Sequence, residues 1–389
     1  MHPKVVRTAG LVLLGLTTLA CANSGAGTPP QIEAAPPSPG DPVRSDDCVA
    51  VPIEQRAAQV LVVGVPGATI SSDPMVDEIL DVGVGGVFVT SPNVESSAQI
   101  GQFVSDLRAL AGRPIVIVSG EESGRVSAFR DIIGSTAPAR TLASTRSPEE
   151  VQALAEKVGS DLAALGFDLD LAPVVDLDGG PSDGIIGDRS FSADVDVASR
   201  YGLAWARGLA AGGVAPTAKH FPGHGRVLED SHLELPVVDA PLDELRETDL
   251  VPFAELIDAG VPVVMLDHIA YTSLDPDLPA SLSPRAYQLL REMGFEGVAI
   301  TDSVGMGAVN LLWSFPESAV MAVAAGADAV LTTDGSQARG MRDALVEAVR
   351  SGQLPEDRLD EAAARMVALA GGDPEAFACQ AVELPRLVP

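Results

Sequence analysis

Short apolar runs alternate with longer amphipathic segments between residues 54 and 371 of the chain. Each run stays hydrophobic along its length instead of alternating with polar residues, which is typical of parallel strands covered on both faces. These runs predict eight strands, at Val60–Val65, Gly85–Val89, Pro114–Ser119, Leu169–Val175, Ala215–His220, Val261–His268, Gly297–Asp302 and Ala327–Thr332.

The segments between the runs carry helix signals. Ser147 is suited to cap a helix, Pro148 fits its first turn, and Glu150 completes a capping box. Ser283-Pro284 predicts a second helix start of the same kind. Strands that alternate with helices predict an α/β protein with a single (β/α)8 barrel of the TIM type.

A doubly wound open sheet is the alternative fold. It needs a glycine-rich phosphate loop after its first strand, and residues 64–67 do not supply one. The barrel is therefore the favoured interpretation.

The first twenty residues have the pattern of a secretory signal. Two basic residues precede an apolar stretch over residues 9–20 that is too short to span a bilayer. The stretch ends before Cys21 in small residues that resemble a bacterial lipobox. We therefore expect residues 1–20 to be removed and Cys21 to carry lipid, which anchors the chain to an extracytoplasmic membrane surface. An ordinary secretory signal is the alternative.

Residues 21–47 are rich in proline, alanine and glycine and predict an extended tether. The barrel domain is expected to occupy residues 48–389. Cys48 begins this domain and Cys379 lies near its end, and outside the cytoplasm such a pair predicts a disulfide. Two buried free thiols are the alternative.

Composition narrows the range of functions. The chain has 25 Lys and Arg residues against 54 Asp and Glu residues, which gives a formal net charge of −29. Such an acidic surface repels polyanions, so we expect no nucleic-acid partner. The chain is 46% hydrophobic, which is enough for a large core and excludes a disordered protein. We expect a monomer.

Polar residues collect at the carboxyl ends of the predicted strands, where barrels of this type keep their active sites. Four of the five histidines in the chain lie at or just after the fifth and sixth strands. This concentration indicates a functional site. The residues at the strand ends are Glu121, Glu122, Asp176, Lys219, His220, Asp267, His268, Asp302 and Asp334.

A metal site is not expected among these residues. His220 and His224 have the i, i+4 spacing of a helical zinc pair, but Pro222-Gly223 between them breaks a helix.

Several motifs carry a family resemblance. Residues 219–225 read KHFPGHG and are followed by DSH at 230–232, while residues 187–191 read GDRSF and residues 297–302 read GVAITD. This set resembles glycoside hydrolase family 3, and within it the bacterial β-N-acetylglucosaminidases of the NagZ type. With the lipobox, the chain is similar to secreted lipoprotein members of that family.

The resemblance implies roles for particular residues. Asp302 matches the carboxylate nucleophile of a retaining glycosidase, and His232 matches an acid–base group that is held by Asp230. The remaining matches are expected to bind the sugar or to support the groups that bind it, and the family requires no cofactor. The sugar-binding matches are Arg189, Lys219, His220, Glu122 and Arg125, and the supporting matches are Asp176 and His268.

Two positions depart from the family pattern. After the third strand the family usually reads D-x-E-G-G-R-V-x-R, but here Gly120 stands at the first position and Ala128 at the last. Losing a charged hydrogen bond to a ligand costs about 1.5–3 kcal/mol. We therefore expect altered recognition in the first sugar subsite.

The function that these features predict is an extracytoplasmic, retaining β-N-acetylhexosaminidase. It is expected to remove terminal β-GlcNAc from cell-wall fragments or related glycans. Two alternatives stay open. One is a non-catalytic sugar-binding lipoprotein on a degenerate barrel, and the other is a β-glucosidase or phosphorylase of the same family.

Overall fold

The computed structural model describes residues 48–387. The predicted signal peptide, the lipidation site at Cys21 and the tether at residues 21–47 lie outside the described residues. Within residues 48–387, none of the helices combines the length and the apolar composition needed to cross a membrane.

Eight parallel strands of the described chain form a closed barrel. Neighbours in the sheet are neighbours along the chain, the last strand pairs with the first, and a bridge between Ile300 and Ala329 closes the ring. The predicted (β/α)8 barrel is therefore confirmed. The strands are β1 Leu61–Gly64, β2 Gly86–Phe88, β3 Val116–Ser119, β4 Leu169–Asp170, β5 Ala215–Phe221, β6 Val263–Leu266, β7 Val298–Thr301 and β8 Val330–Thr332.

Each of the eight strands lies inside its predicted run, except that β5 extends one residue past its run to Phe221, and most strands are shorter than predicted. The largest difference is β4, which ends at Asp170 although the apolar run continues to Val175. Pro173 lies in this run, and because proline has no backbone N–H it interrupts the ladder of hydrogen bonds. A single bridge between Val174 and Lys219 continues the pairing beyond it.

Helices pack around the outside of the barrel. The longer helices are Pro74–Val82, Ser97–Ala111, Pro148–Ala164, Val195–Ala211, Leu250–Asp258, Pro284–Glu292, Phe315–Ala325, Ala338–Arg350 and Glu356–Leu369. The shorter helices are Ile53–Gln59, Arg130–Ile133, Ala139–Thr145, Leu242–Glu247, Gly307–Asn310 and Pro374–Ala378.

One of the two predicted helix starts has the predicted cap. The Glu150 amide donates to Ser147 Oγ at 3.3 Å, and the Ser147 amide donates to Glu150 Oε2 at 2.8 Å. The helix that begins at Pro284 has no side-chain cap, and the Ser283 hydroxyl donates to Asp275 Oδ2 at 3.4 Å.

The core has two layers. One fills the space between the barrel and its helices, and the other fills the inside of the barrel with apolar side chains from the strands, such as Val62, Val118, Met265 and Ile300. The inward-facing side chains fill the interior of the barrel, so a ligand can bind only at the ends of the barrel.

Cys48 and Cys379 are joined in the structure, with a Cα–Cα distance of 5.5 Å. Nearby, the Val51 amide donates to the Phe377 carbonyl at 3.0 Å. Both of these residues line a small cavity with Pro114, which precedes β3. The disulfide therefore lies at the amino-terminal end of the barrel strands, away from the end that carries the polar residues.

Candidate active site

A cavity of about 850 Å³ opens at the carboxyl ends of the barrel strands. The predicted nucleophile and the predicted acid–base histidine both line it, together with the residues that were predicted to bind the sugar. The predicted residues that line it are Asp302, His232, Glu122, Arg125, Arg189, Lys219 and His220. The strand ends thus bring into one cavity side chains that lie far apart in the sequence.

Glu122 is the centre of an ion cluster. Its carboxylate accepts two hydrogen bonds from Arg189, both at 2.7 Å, and its Oε1 lies 2.5 Å from Lys219 Nζ. Burial alone would raise the pKa of Glu122, but the charges of Arg189 and Lys219 outweigh it and hold that pKa well below its usual value. Glu122 therefore stays ionised and fixes the two cations at the cavity wall.

Asp176 orients the histidine that completes this wall. His220 Nδ1 donates to Asp176 Oδ2 at 2.7 Å. The other ring nitrogen, His220 Nε2, therefore points toward the cavity and lies 3.4 Å from Arg189 Nη2. Asp176 also accepts from the His224 amide at 2.8 Å. Burial opposes ionisation of Asp176, but His220 and the hydrogen bond from the His224 amide lower its pKa. The wall thus presents the fixed donors of Arg189 and Lys219, together with His220 Nε2, to a polar ligand.

Asp302 follows β7 and is partly exposed at the cavity surface. The Ser303 amide donates to its Oδ1 at 2.7 Å. Burial would raise the pKa of Asp302, but His220 and the hydrogen bond from the Ser303 amide act against it, and the pKa is lowered. The Asp302 carboxylate is therefore charged at neutral pH, as a nucleophile must be.

His268 supports the segment that carries Asp302. The Ser281 hydroxyl donates to His268 Nδ1 at 2.7 Å, and His268 Nε2 donates to the Ser303 carbonyl at 2.9 Å. Burial lowers the pKa of His268, so the ring is neutral and both of its nitrogens are used. Its contacts make it a positioning residue.

Asp230 and His232 form a pair on the loop after β5. His232 Nδ1 lies 2.8 Å from Asp230 Oδ1, which also accepts from the His232 amide at 2.9 Å. This amide contact lowers the pKa of Asp230. Because Nδ1 is taken by the carboxylate, Nε2 is the nitrogen that remains for a substrate.

Two backbone hydrogen bonds connect this loop to the segment that follows β7. The Gly307 amide donates to the His232 carbonyl at 3.1 Å, and the Ala308 amide donates to the Ser231 carbonyl at 3.0 Å. A Cβ on residue 307 would lie 2.4 Å from that His232 oxygen, so the close approach requires glycine. The His232 side chain itself is 67% exposed.

Arg125 has a different environment from the other predicted sugar-binding residues. Its guanidinium donates to the carbonyl oxygens of Ser182, Gly184 and Ile186, at 2.9, 2.6 and 2.9 Å. These bonds fix the loop that leads to Arg189. Although Arg125 lines the cavity, its contacts position this loop.

Two of the carboxylates that follow strands in the sequence do not line the cavity. Asp267 is hydrogen-bonded to the Tyr271 hydroxyl at 2.6 Å, and the Asp334 side chain accepts from the Ser336 amide.

One carboxylate near the site was not predicted from the sequence. It is Asp170, which accepts from the Glu121 amide at 2.8 Å, at the start of the turn that carries Glu122. Burial raises its pKa to about 8. A lone Asp within an apolar strand run is the signal that would have revealed it.

Among residues 48–387, no three His, Cys, Asp or Glu side chains are arranged to hold a metal ion. The His220 and His224 rings are 5.6 Å apart and meet edge to face. Burial lowers the pKa of His224 to about 4, and its Nε2 lies 3.3 Å from Ser231 Oγ on the Asp230–His232 loop. His224 therefore serves as a neutral contact to this loop.

Comparison with known families agrees with this geometry. Residues 52–369 match the family described as the glycosyl hydrolase family 3 N-terminal domain. The chain belongs to glycosyl hydrolase family 3. The family prediction is thereby confirmed, and the chain is a glycosidase of this family.

Individual relatives are similar over most of their length. The chain is 36% identical to the β-hexosaminidase LpqI of Mycobacterium tuberculosis, over 82% of this chain and 83% of that protein. It is 39% identical to a β-hexosaminidase of Stenotrophomonas maltophilia, over 70% of this chain and 82% of that protein. A solved family 3 glycosyl hydrolase from Mycobacterium smegmatis has a TM-score of 0.77 and 37% identity, over 82% of this chain and 97% of that chain.

The Glu122 cluster gives a first testable result. We expect Glu122→Gln to lower kcat/KM about a hundredfold, because Arg189 and Lys219 lose the charge that orients them. The matched control is Glu121→Gln, since the neighbouring Glu121 accepts from the Phe129 amide and does not line the cavity. Steady-state kinetics on an aryl glycoside measure both variants. Equal losses in the two variants would contradict the role given to Glu122.

Proposed function

We propose that this chain is a retaining β-N-acetylhexosaminidase that removes terminal β-linked N-acetylglucosamine. The observation that carries the proposal is one cavity lined by an ionised Asp302, by His232 on its Asp230 partner, and by the cluster around Glu122. The names of the relatives, β-hexosaminidases, support the same sugar specificity.

In the proposed first step, an oxygen of Asp302 bonds to the anomeric carbon as the bond from that carbon to the leaving oxygen breaks. The proton on His232 Nε2 passes to the leaving oxygen. In the second step a water attacks the same carbon, His232 takes the proton of the water, and Asp302 departs as a carboxylate. Asp230 stabilises the charge that His232 carries before the first step and after the second.

Arg189, Lys219 and His220 are proposed to hold the hydroxyl groups of the sugar. The guanidinium of Arg189, the ammonium of Lys219 and His220 Nε2 lie along one wall of the cavity and are held in place by Glu122 and Asp176. Donors that are oriented before the substrate arrives need no rearrangement during the reaction. No cofactor takes part in these steps.

The test of substrate class uses two aryl glycosides. The purified protein should cleave an aryl N-acetyl-β-glucosaminide with a kcat/KM at least a hundredfold above that for the matching aryl β-glucoside. The rate should not depend on added phosphate. A preference for the glucoside or a requirement for phosphate would favour the β-glucosidase or phosphorylase alternative. Binding without turnover would favour a sugar-binding lipoprotein.

We further propose that the protein acts outside the cytoplasm on cell-wall fragments, anchored by lipid on Cys21. The support is the basic, apolar and small-residue pattern of residues 1–21. The expected result of Cys21→Ala is release from the membrane fraction into the soluble fraction, because the lipid is the anchor. Ser24→Ala is the matched control and should stay in the membrane fraction. An unchanged distribution of Cys21→Ala in cell fractionation would rule out the anchor.

A further inference from the structure

Asp267 and Tyr271 form a buried hydrogen-bonded chain with the first residue of the loop that carries His232. The Tyr271 hydroxyl oxygen lies 2.6 Å from Asp267 Oδ2 and 3.0 Å from the carbonyl oxygen of Gly223. The side chains of Asp267 and Tyr271 are both fully buried. Because solvent does not reach these groups, their hydrogen bonds have to be satisfied within the chain.

The chain requires a proton that the tyrosine alone does not supply. A hydroxyl has a single hydrogen, so Tyr271 can donate fully to Asp267 or to Gly223, but not to both. The Gly223 carbonyl can only accept, whereas a carboxyl group that keeps its proton can also donate. Both short contacts are hydrogen bonds when Asp267 Oδ2 donates to the Tyr271 oxygen and Tyr271 donates to Gly223.

The surroundings of Asp267 favour the protonated form. Its other oxygen, Oδ1, accepts from the Ile269 amide at 3.1 Å, which leaves Oδ2 as the oxygen for the proton. Burial raises the pKa of Asp267 well above its usual value, and the charges of Asp176 and Asp302 add to this, outweighing the hydrogen bonds that would lower it. A neutral Asp267 avoids a further negative charge close to the nucleophile.

Gly223 is a fixed point at the base of the loop. Its φ is +143°, and a Cβ there would lie 2.7 Å from the Asp249 Cβ, so this close approach requires glycine. Farther along, residues 228–229 and 232–234 are exposed. The position of the His232 ring therefore depends on how firmly the buried base at Gly223 is held.

We propose that Asp267 is a positioning residue that carries a proton on Oδ2 and, through Tyr271, fixes the Gly223 carbonyl at the base of the loop. Asp267 does not line the cavity, so it acts on the reaction only through the loop. The fixed base keeps His232 within reach of the leaving oxygen. The role of His232 rests on the proposed function, but the proton on Asp267 can be measured without any substrate.

Infrared difference spectroscopy tests this proton directly. The spectrum of Asp267→Asn is subtracted from that of the wild type, both as the full chain at neutral pH and without substrate. We expect a positive C=O band of a protonated carboxyl group and no carboxylate bands. Asp170, whose pKa is also raised by burial, is present in both proteins and cancels. Carboxylate bands in place of the protonated band would overturn the proposal.

Asp267→Asn should also keep the fold and the activity. The amide oxygen can accept from Ile269 and the amide nitrogen can donate to Tyr271, as the protonated carboxyl group does. We expect kcat/KM within about threefold of the wild type, because no hydrogen bond of the chain is lost. An Asp267→Asn variant that does not fold, or that is as slow as Asp267→Ala, would contradict the proposal, since the chain would then require the charged form.

Tyr271→Phe and Asp267→Ala interrupt the chain at two different points. Each should lower kcat/KM for an alkyl N-acetyl-β-glucosaminide about tenfold, because a small displacement of His232 slows proton transfer to the leaving oxygen. The value for a dinitrophenyl glycoside, whose leaving group needs no proton, should fall by less than about threefold.

Tyr201→Phe is the matched control for these variants. The Tyr201 hydroxyl also donates to a backbone carbonyl, that of Arg146 at 2.6 Å, but it lies on the outer helix Val195–Ala211. Its loss should change neither rate.

Two further results separate this proposal from the proposed function. If Tyr271→Phe and Asp267→Ala slow both leaving groups equally, the chain supports the fold and not the acid, and the positioning role is wrong while the proposed function stands. If the wild type cleaves neither glycoside, the proposed function fails and the positioning role fails with it. The infrared spectrum still decides whether Asp267 holds its proton.

Discussion

Asp302→Ala is expected to lower kcat/KM on an aryl N-acetyl-β-glucosaminide by about 10⁴-fold or more, the scale of loss when a nucleophile is removed. Alanine leaves no oxygen to bond to the anomeric carbon. Lys219 and His220, which are proposed to bind the sugar, remain in place, so the loss should fall on kcat.

Asp334→Ala is the matched control for this variant. Asp334 follows β8 as Asp302 follows β7, but its side chain accepts from the Ser336 amide and does not line the cavity. We expect activity within about threefold of wild type, because the change removes only local hydrogen bonds, those from Ser336 and Gln337. Turnover by Asp302→Ala above one hundredth of the wild-type rate would show that another group attacks the sugar.

His232→Ala is expected to have an effect that depends on the leaving group. A sugar or alkyl leaving group needs a proton as the bond breaks, so kcat/KM should fall by about 10²–10⁴-fold. A dinitrophenyl group departs without a proton, so its loss should stay below about tenfold. The measurement is kcat/KM for a series of leaving groups that differ in pKa.

Glu229→Gln is the matched control on the same loop. Glu229 is an exposed carboxylate that contacts only the neighbouring Leu228 amide, at 3.2 Å, among the hydrogen bonds of the described residues. It should leave the rates for all leaving groups unchanged. A His232→Ala variant that slows every leaving group equally would contradict the role of His232 as the acid.

The barrel was predictable because its strands are buried on both faces. Such strands read as continuous apolar runs, and all eight runs became strands in chain order. The end of β4 was less predictable, because Pro173 interrupts pairing inside an apolar run that otherwise continues.

The position of the candidate site was also predictable from the strand pattern. The carboxyl ends of parallel strands meet at one end of a barrel, so residues such as Glu122, Lys219 and Asp302 had to lie near one another. Side-chain direction was not predictable in the same way. Asp267 and Asp334 also follow strands, yet their carboxylates bond to Tyr271 and to the backbone outside the cavity.

The partners of individual side chains depend on contacts between distant segments. Glu122 meets Arg189 across 67 residues of sequence, and Arg125 reaches carbonyls about as far away. Nothing local in the sequence tells which of these two arginines pairs with Glu122 and which donates mainly to the carbonyls of residues 182–186. The structure separates them, because only Arg189 is bound in a bidentate pair with Glu122.

The most direct test of the central claim is to trap the covalent intermediate. His232→Ala, mixed with a dinitrophenyl N-acetyl-β-glucosaminide, should form the intermediate quickly but hydrolyse it slowly, because the attacking water lacks its base. Mass spectrometry of the quenched protein is predicted to find one added N-acetylglucosamine, on the peptide that contains Asp302. An adduct on another residue, or turnover with no adduct at any time, would contradict Asp302 as the nucleophile.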